Sequence, residues 1–91
     1  DNPIKSLTVK PQLSDDRELL ARLSNTSPAS MSEVSLEFLA TLNGQPVRRV
    51  VTVRSLASRA SGNVSSGWKI RETDQLENLN IKVLGAAANF Q

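Results

Sequence analysis

The chain has 91 residues, a net charge of +2, 38% hydrophobic residues, no Cys and no His. This length predicts a single domain over residues 1–91 with a thin core, because a chain of this size buries only about 60–65% of its unfolded surface. The missing residue types exclude disulfides, thiolate chemistry and histidine ligands or general bases. We therefore expect no catalytic residue, no cofactor and no metal site; a Ser–Lys pair is the residual enzymatic alternative that composition leaves open.

No run of 18 apolar residues occurs, so the sequence predicts no transmembrane helix. The polar start of the chain favours one of two explanations over an intact cytoplasmic protein. Either a signal sequence has been removed, or the domain belongs to a longer chain.

The first third of the chain predicts two strands joined by a turn. Residues 4–9 are expected to form the first strand, and the short polar side chains of residues 14–16 are typical of a turn. In residues 17–23, apolar and polar positions alternate, which favours a second strand. A helix is the alternative there, because the segment is rich in helix-forming residues.

The clearest pattern lies in residues 34–42, where apolar side chains alternate with mostly polar ones. The predicted core face is Val34, Leu36, Phe38 and Ala40. Asn43-Gly44 follows, the strongest short hairpin signal because both residues accept positive φ. Residues 47–53 are rich in β-branched residues, so we expect them to pair antiparallel with residues 34–42 across that turn.

The last third predicts two more strands. Residues 55–63 are rich in Ser, Ala and Gly and predict a long connection. Residues 64–71 predict a fifth strand, and the segment between Gly62 and Gly67 a loop and strand with a possible bulge. Residues 72–78 predict a charged loop. Residues 79–84 alternate as a sixth strand, and residues 85–91 form an Ala-rich tail that is expected to fray.

These elements predict an all-β fold, a small antiparallel β-sandwich of about six or seven strands, with a small barrel as the alternative. The connection over residues 55–63 suits a crossing between two sheets. It therefore favours an immunoglobulin-like or fibronectin-III-like sandwich over a simple meander.

Basic residues concentrate in one region and supply the candidate binding residues, which are Arg48, Arg54 and Arg59. On a strand, Arg48 and Arg54 share one face and Arg49 points to the other. Two interpretations stay open: recognition of an anionic partner (nucleic acid, an acidic protein or a lipid headgroup), or charges that keep an edge strand from pairing with another chain. Nucleic acid is the less expected partner, because this region lacks aromatic residues for base stacking.

Trp68 falls on the apolar phase of the fifth strand, together with Val64 and Ile70. A lone Trp at such a position is typically a core residue between two sheets. We therefore expect Trp68 to be buried, with ligand stacking as the alternative.

Three segments resemble small bacterial extracytoplasmic sandwiches of the FxLYD type. They are Leu23-Ser24-Asn25-Thr26-Ser27, Val34-Ser35-Leu36-Glu37-Phe38 and Leu42-Asn43-Gly44-Gln45-Pro46-Val47. The resemblance spans residues 17–53, although the Phe-x-Leu-Tyr-Asp string itself does not occur. It implies an appended, non-enzymatic domain of an envelope protein or lipoprotein in the periplasm or at the cell envelope.

The sequence thus predicts a structural or protein-interaction module. Its expected partner is another protein or a neighbouring domain of the same chain. The alternative function is binding of an anionic partner through residues 48–59, and a cytoplasmic location stays open.

Overall fold

The structure is a computed structural model that describes residues 3–89 and is all-β in that range. A short 3₁₀ helix, Pro3–Ser6, comes first. Six strands follow: β1 Leu7–Leu13, β2 Glu18–Asn25, β3 Ser30–Leu42, β4 Gln45–Leu56, β5 Ser61–Lys69 and β6 Leu76–Asn89. No α-helix occurs in the described range, so the expectation of an all-β fold is confirmed.

The strands of residues 3–89 form two antiparallel sheets of three strands each. Sheet 1 has the order β1-β2-β5, and sheet 2 has the order β4-β3-β6. The chain therefore changes sheet between β2 and β3, between β4 and β5, and between β5 and β6. The predicted crossing after the fourth strand is present.

The central hairpin forms as predicted. Residues 31 and 56 pair at one end of it and residues 42 and 45 at the other, around a turn in which Asn43 has φ 51° and Gly44 has φ 80°. Both turn residues thus occupy the left-handed region, which Asn and Gly tolerate best. The predicted core face is confirmed, because Val34, Leu36, Phe38 and Ala40 are all buried.

The second segment is a strand, not the alternative helix. Leu19, Ala21 and Leu23 of β2 are fully or almost fully buried, while Arg22 is exposed. This alternation lets β2 cover the core with one face while it pairs with β1 and β5 on its two sides. Tertiary packing therefore overrides the helix propensity of the segment.

Several predicted boundaries are wrong. Residues 4–6 belong to the 3₁₀ helix, and β1 continues to Leu13. The connection predicted over residues 55–63 covers only residues 57–60, because both flanking strands extend into it. The charged loop predicted over residues 72–78 ends before Leu76, where β6 begins. Residues 85–89 continue β6 as it pairs with residues 30–35, so they do not form a frayed tail, and residues 90–91 lie outside the described range.

Bulges let the strands keep their apolar residues on the core side. Glu33 (φ 50°) and Asn78 (φ 54°) each lie at a register shift between β3 and β6. Gly67 (φ 81°) lies in the register shift between β2 and β5, at one end of the segment from Gly62 to Gly67 in which the sequence predicted a possible bulge. Such insertions shift the alternation by one residue, so a strand can return its apolar side chains to the core after an interruption.

The two sheets pack face to face around a core formed mainly by β2 and β3. Along one flank of the sandwich β4 lies near β5, and along the other β1 lies near β6. These two flanks differ in how they are covered, and that difference defines the candidate site.

Candidate functional site

The predicted binding residues on β4 are only partly available. Arg48 projects from the outer face of sheet 2, where its Nε donates a 2.6 Å hydrogen bond to Oε2 of Glu37. Nζ of Lys82 lies 3.6 Å from Oε1 of the same carboxylate. The hydrogen bond and charge of Arg48, with the charge of Lys82, lower the pKa of Glu37. Arg48 thus faces solvent, but it is also hydrogen-bonded to the nearly buried carboxylate of Glu37.

The three candidate arginines do not converge. Arg48 and Arg54 share a face of β4, as predicted, but they lie six positions apart, which is roughly 20 Å along an extended strand. Arg59 lies in the β4–β5 connection with φ 57°, and its backbone N–H donates to the Ser27 carbonyl. Among residues 3–89, no carboxylate lies within ion-pair distance of Arg54 or Arg59.

The flank between β4 and β5 is covered by Arg49. This residue pairs with Phe38 across the ladder and so points toward the inner side of sheet 2. Its guanidinium carbon lies 5.2 Å from the centre of the Trp68 ring. Trp68 is half-buried under this cation, so the expectation of a buried core tryptophan is wrong in degree: the indole packs against the core edge and Arg49 covers it.

One Ser-x-x-Lys spacing is present, at Ser66 and Lys69 in β5, but its geometry does not form a nucleophile–base pair. Ser66 is buried and donates a 2.7 Å hydrogen bond to the Leu19 carbonyl. Lys69 is exposed, and its Nζ lies 3.6 Å from a carboxylate oxygen of Asp16. Ser66 therefore stabilises the bulge around Gly67 through its hydrogen bond, while Lys69 forms an ion pair with Asp16 at the surface.

Asn25 ties together three segments at one end of the sandwich. Its side-chain amide donates to the carbonyls of Ala29 (2.8 Å) and Ala57 (3.1 Å), and its Oδ1 accepts from the Ser27 backbone N–H (3.0 Å). Only 2% of this residue is exposed. Asn25 therefore serves the fold. The chain has two tripeptides of the pattern Asn-x-Ser/Thr, Asn25-Thr26-Ser27 and Asn63-Val64-Ser65, and Asn63 of the second is exposed.

The flank between β1 and β6 is open, and it contains the candidate functional site. A solvent-exposed cleft of about 390 Å³ lies at its lower end, next to the β1–β2 turn and the β5–β6 connection. The cleft is lined by Pro11, Gln12, Leu13, Arg17, Leu19, Ile70, Asp74, Leu76 and Leu79. Most of these side chains are apolar, so the cleft offers a hydrophobic surface that the two sheets leave uncovered.

Leu13 is an apolar residue of this flank that points inward but is not covered by the rest of the fold. It pairs with the buried Leu19 and so points toward the inner side of sheet 1, yet it is 45% exposed. Opposite it, Leu76 and Leu79 of β6 are only half-buried although they pack against the core. Inward-pointing Leu side chains that stay exposed indicate that no described element of the chain covers them.

Both strands that border the cleft are edge strands. β6 pairs only with β3, and β1 pairs only with β2, within residues 3–89. At the upper end of this flank the 3₁₀ helix Pro3–Ser6 packs against β6. The lower part of β6 is therefore both unpaired along its outer edge and adjacent to exposed apolar side chains.

A hydrogen-bonded clamp lies at the lower end of the cleft. Nδ2 of Asn43 donates a 2.9 Å hydrogen bond to Asp74, and Oδ1 of Asn43 accepts from the Gln75 backbone N–H at 2.8 Å. The backbone N–H of Arg71 also donates to Asp74, at 2.8 Å. These bonds, led by that from Asn43, lower the pKa of Asp74 to about 2. The clamp fastens the β3–β4 turn to the start of β6.

Arg17 adds a positive charge to the wall of the cleft. It has φ 65°, and its Nε donates a 2.6 Å hydrogen bond to the Ile70 carbonyl while Nη2 donates to the Arg71 carbonyl at 3.3 Å. The guanidinium has five N–H groups. The two N–H groups on Nη1 and the second N–H group on Nη2 donate to no described residue.

Sequence reasoning missed this site because it ended the first strand at residue 9. Pro11 argues against a central strand, but an edge strand tolerates Pro. The signal was nevertheless present, since Leu7, Val9, Pro11 and Leu13 continue a period of two. An edge strand with apolar residues beyond its Pro is what places Leu13 in the cleft.

Within the described part of the chain, no helix is long and apolar enough to cross a membrane, and no group of three or more acidic residues could hold a metal ion. No family model, curated protein or solved structure matches the chain in the three comparisons.

Proposed function

We propose that this chain is a non-catalytic protein-interaction module that binds an extended segment of another protein as an additional strand beside β6. The carrying observation is the coincidence of an unpaired strand edge with exposed, inward-pointing apolar residues around Leu13. In strand addition, the edge supplies backbone hydrogen bonds, and alternate side chains of the added segment fill the adjacent apolar groove. The open flank offers both contributions together.

We further propose that the sandwich is of the immunoglobulin or fibronectin III kind. The division of strands between the sheets supports this interpretation, because β1, β2 and β5 share one sheet while β3, β4 and β6 share the other. Sandwiches of this kind place a last strand next to the strand that corresponds to β6. Among residues 3–89, no strand pairs with that edge of β6.

The resemblance of residues 17–53 to FxLYD-type domains supports a role as an accessory domain of a bacterial envelope protein. We propose the periplasm or the cell envelope as its location. Immunodetection in fractions of the source cells tests this point: recovery with periplasmic or envelope markers is expected, and recovery with cytoplasmic markers alone would refute it.

Strand addition is tested with a library of random nine-residue peptides and the 91-residue chain. Half of the library is displayed with a free C-terminal carboxylate and half is followed by a linker. Binders are expected in at least one format. Their binding should be lost in the Leu13→Asp variant, because this change removes apolar surface and an apolar side chain in the cleft would then have to desolvate the carboxylate.

Leu84→Asp is the matched control. Leu84 is 43% exposed, against 45% for Leu13, but it lies on the outer face of β6, away from the cleft. Binding should therefore survive this substitution. Failure of both library formats, or equal loss of binding in the two variants, would refute the proposed function.

A second candidate function is binding of an anionic partner near the β4–β5 connection. The observation that favours it is the exposure of Arg54 and Arg59 without a described carboxylate nearby. Binding of heparin or an acidic peptide should then weaken steeply with salt and be lost in an Arg54→Glu, Arg59→Glu double variant. Arg48 is unsuitable for this test, because Arg48→Glu would place a second carboxylate beside Glu37. Binding that persists unchanged in the double variant would refute this candidate.

A further inference from the structure

We infer that the cleft binds the C-terminal end of its partner, with the terminal carboxylate on Arg17 and an apolar last side chain between β1 and β6. This inference rests on the proposed strand addition and specifies the partner. It follows from three features of the cleft: its charge, its direction relative to β6 and the apolar side chains in its wall.

The charge at the cleft favours a carboxylate. Arg17 has N–H groups on Nη1 and Nη2 that bond to no described residue, so they are available to a ligand. Asp74 also lines the cleft, but its side chain is only 6% exposed and is bonded to Asn43 and paired with Arg71. Arg17 and Asp74 are the two charged residues that line the cleft, and Arg17 is the one that keeps hydrogen-bonding groups free for a ligand. A guanidinium with a free pair of N–H groups binds a carboxylate in a geometry that a neutral amide does not match.

The direction of β6 determines which end of a bound segment reaches Arg17. β6 begins at Leu76, in the cleft, and runs away from it toward Asn89. Every strand pair among the described residues is antiparallel, and antiparallel pairing is the more stable arrangement per residue. A segment added antiparallel to β6 therefore runs toward the cleft, and its C-terminus arrives beside Leu76.

The β1–β2 turn and the β5–β6 connection then limit how far the segment extends. The backbone N–H of Ile70 donates a 2.8 Å hydrogen bond to the Arg17 carbonyl, and Arg17 in turn donates to the Ile70 carbonyl. These bonds join the turn to the connection at the lower end of the cleft. A chain that ended there would place its last side chain against Leu13, Leu76 and Leu79 and its carboxylate beside Arg17.

The experiment compares peptides selected from the free-carboxylate library with the same peptides as C-terminal amides. On the wild-type chain, amidation should weaken binding at least about tenfold, the size expected for loss of a charge-assisted hydrogen-bonded pair. Selected sequences should carry a large apolar residue at the last position. The linker-terminated half of the library should give weaker binders.

Arg17→Gln supplies the second readout. This variant should bind the acid and the amide equally, whereas Arg22→Gln, at an exposed position of β2, should retain the wild-type preference for the acid. The amide comparison requires no substitution, so the test holds even if Arg17→Gln does not fold.

The outcomes separate this inference from the proposed function. Peptides that bind in a Leu13-dependent manner but equally well as acids and amides would overturn the C-terminal inference and leave strand addition standing. A preference for the acid that persists in Arg17→Gln would overturn the assignment of the carboxylate to Arg17. Absence of binders in both formats would overturn both proposals.

Discussion

Arg49 lies over the indole of Trp68, with 5.2 Å between the guanidinium carbon and the centre of the ring. The contact joins β4 of sheet 2 to β5 of sheet 1 along one flank of the sandwich. The Arg49 side chain also approaches Gly67, where an added Cβ would lie 3.1 Å from Nη1. Arg49 thus covers the indole on this flank, while exposed apolar side chains line the cleft on the flank between β1 and β6.

Removing that cover should expose Trp68. In Arg49→Ala, we expect the tryptophan emission to shift to longer wavelength and iodide quenching to increase. The variant should also lose about 0.5–1 kcal/mol of stability, since the cation–π contact and the packing of the arginine stem are lost. Arg48→Ala, on the opposite face of β4, is the control and should leave the emission unchanged. An unchanged spectrum in Arg49→Ala would show that Arg49 does not cover the indole.

Asn25 should be the more sensitive of the two asparagines in Asn-x-Ser/Thr tripeptides. Asn25→Ala leaves the carbonyls of Ala29 and Ala57 and the Ser27 N–H without their partners, so we expect a loss of about 1–3 kcal/mol in urea unfolding. Asn63→Ala, at an exposed position, should change stability by less than about 0.5 kcal/mol. Similar losses in both variants would contradict the structural role assigned to Asn25.

The Asp74 clamp predicts a stability change in acid. The pKa of Asp74 is about 2 in the folded chain, below its usual value of 3.8, so the ionised form stabilises the fold. That stabilisation is complete above the pKa of the unfolded chain, about 3.9, and is lost as pH falls through about 2. The melting temperature should therefore decline between pH 4 and pH 2, and the decline should be smaller in Asp74→Asn.

Two other carboxylates with lowered pKa, Asp16 and Glu37, contribute in the same direction, so the wild-type decline alone does not identify Asp74. The informative quantity is the difference between wild type and Asp74→Asn across this pH range. Asp15→Asn, at an exposed position of the β1–β2 turn, serves as the control and should follow the wild-type curve. If Asp74→Asn also follows it, the clamp does not stabilise the fold.

The sequence predicted the central hairpin correctly, but it predicted several ends of strands incorrectly. β3 and its hairpin were readable because one buried face and one exposed face alternate around Phe38, and Asn43-Gly44 fixes the turn. Residues 85–91 were predicted to fray as an Ala-rich tail, yet pairing with β3 holds residues 85–89 in β6.

The candidate site was harder to predict than the fold. Leu13 has nothing in its local sequence that distinguishes a core leucine from an exposed one, because its exposure depends on which strand faces it across the sandwich. The arginines suggested a site through their proximity in sequence, but an extended strand spreads Arg48 and Arg54 along its length. Residues far apart in the chain, such as Leu13 and Leu76, meet only through the topology.

Amide hydrogen exchange of β6, with and without a peptide selected from the library, tests the central proposal most directly. In the free chain, the β6 amides directed away from β3 should exchange quickly, because they have no partner on that side within the described residues. Added peptide should slow exchange at alternate residues in the lower half of β6 by at least about tenfold, as a new strand ladder forms. Protection confined to β4 or β5, or no protection at β6 under saturating peptide, would contradict strand addition.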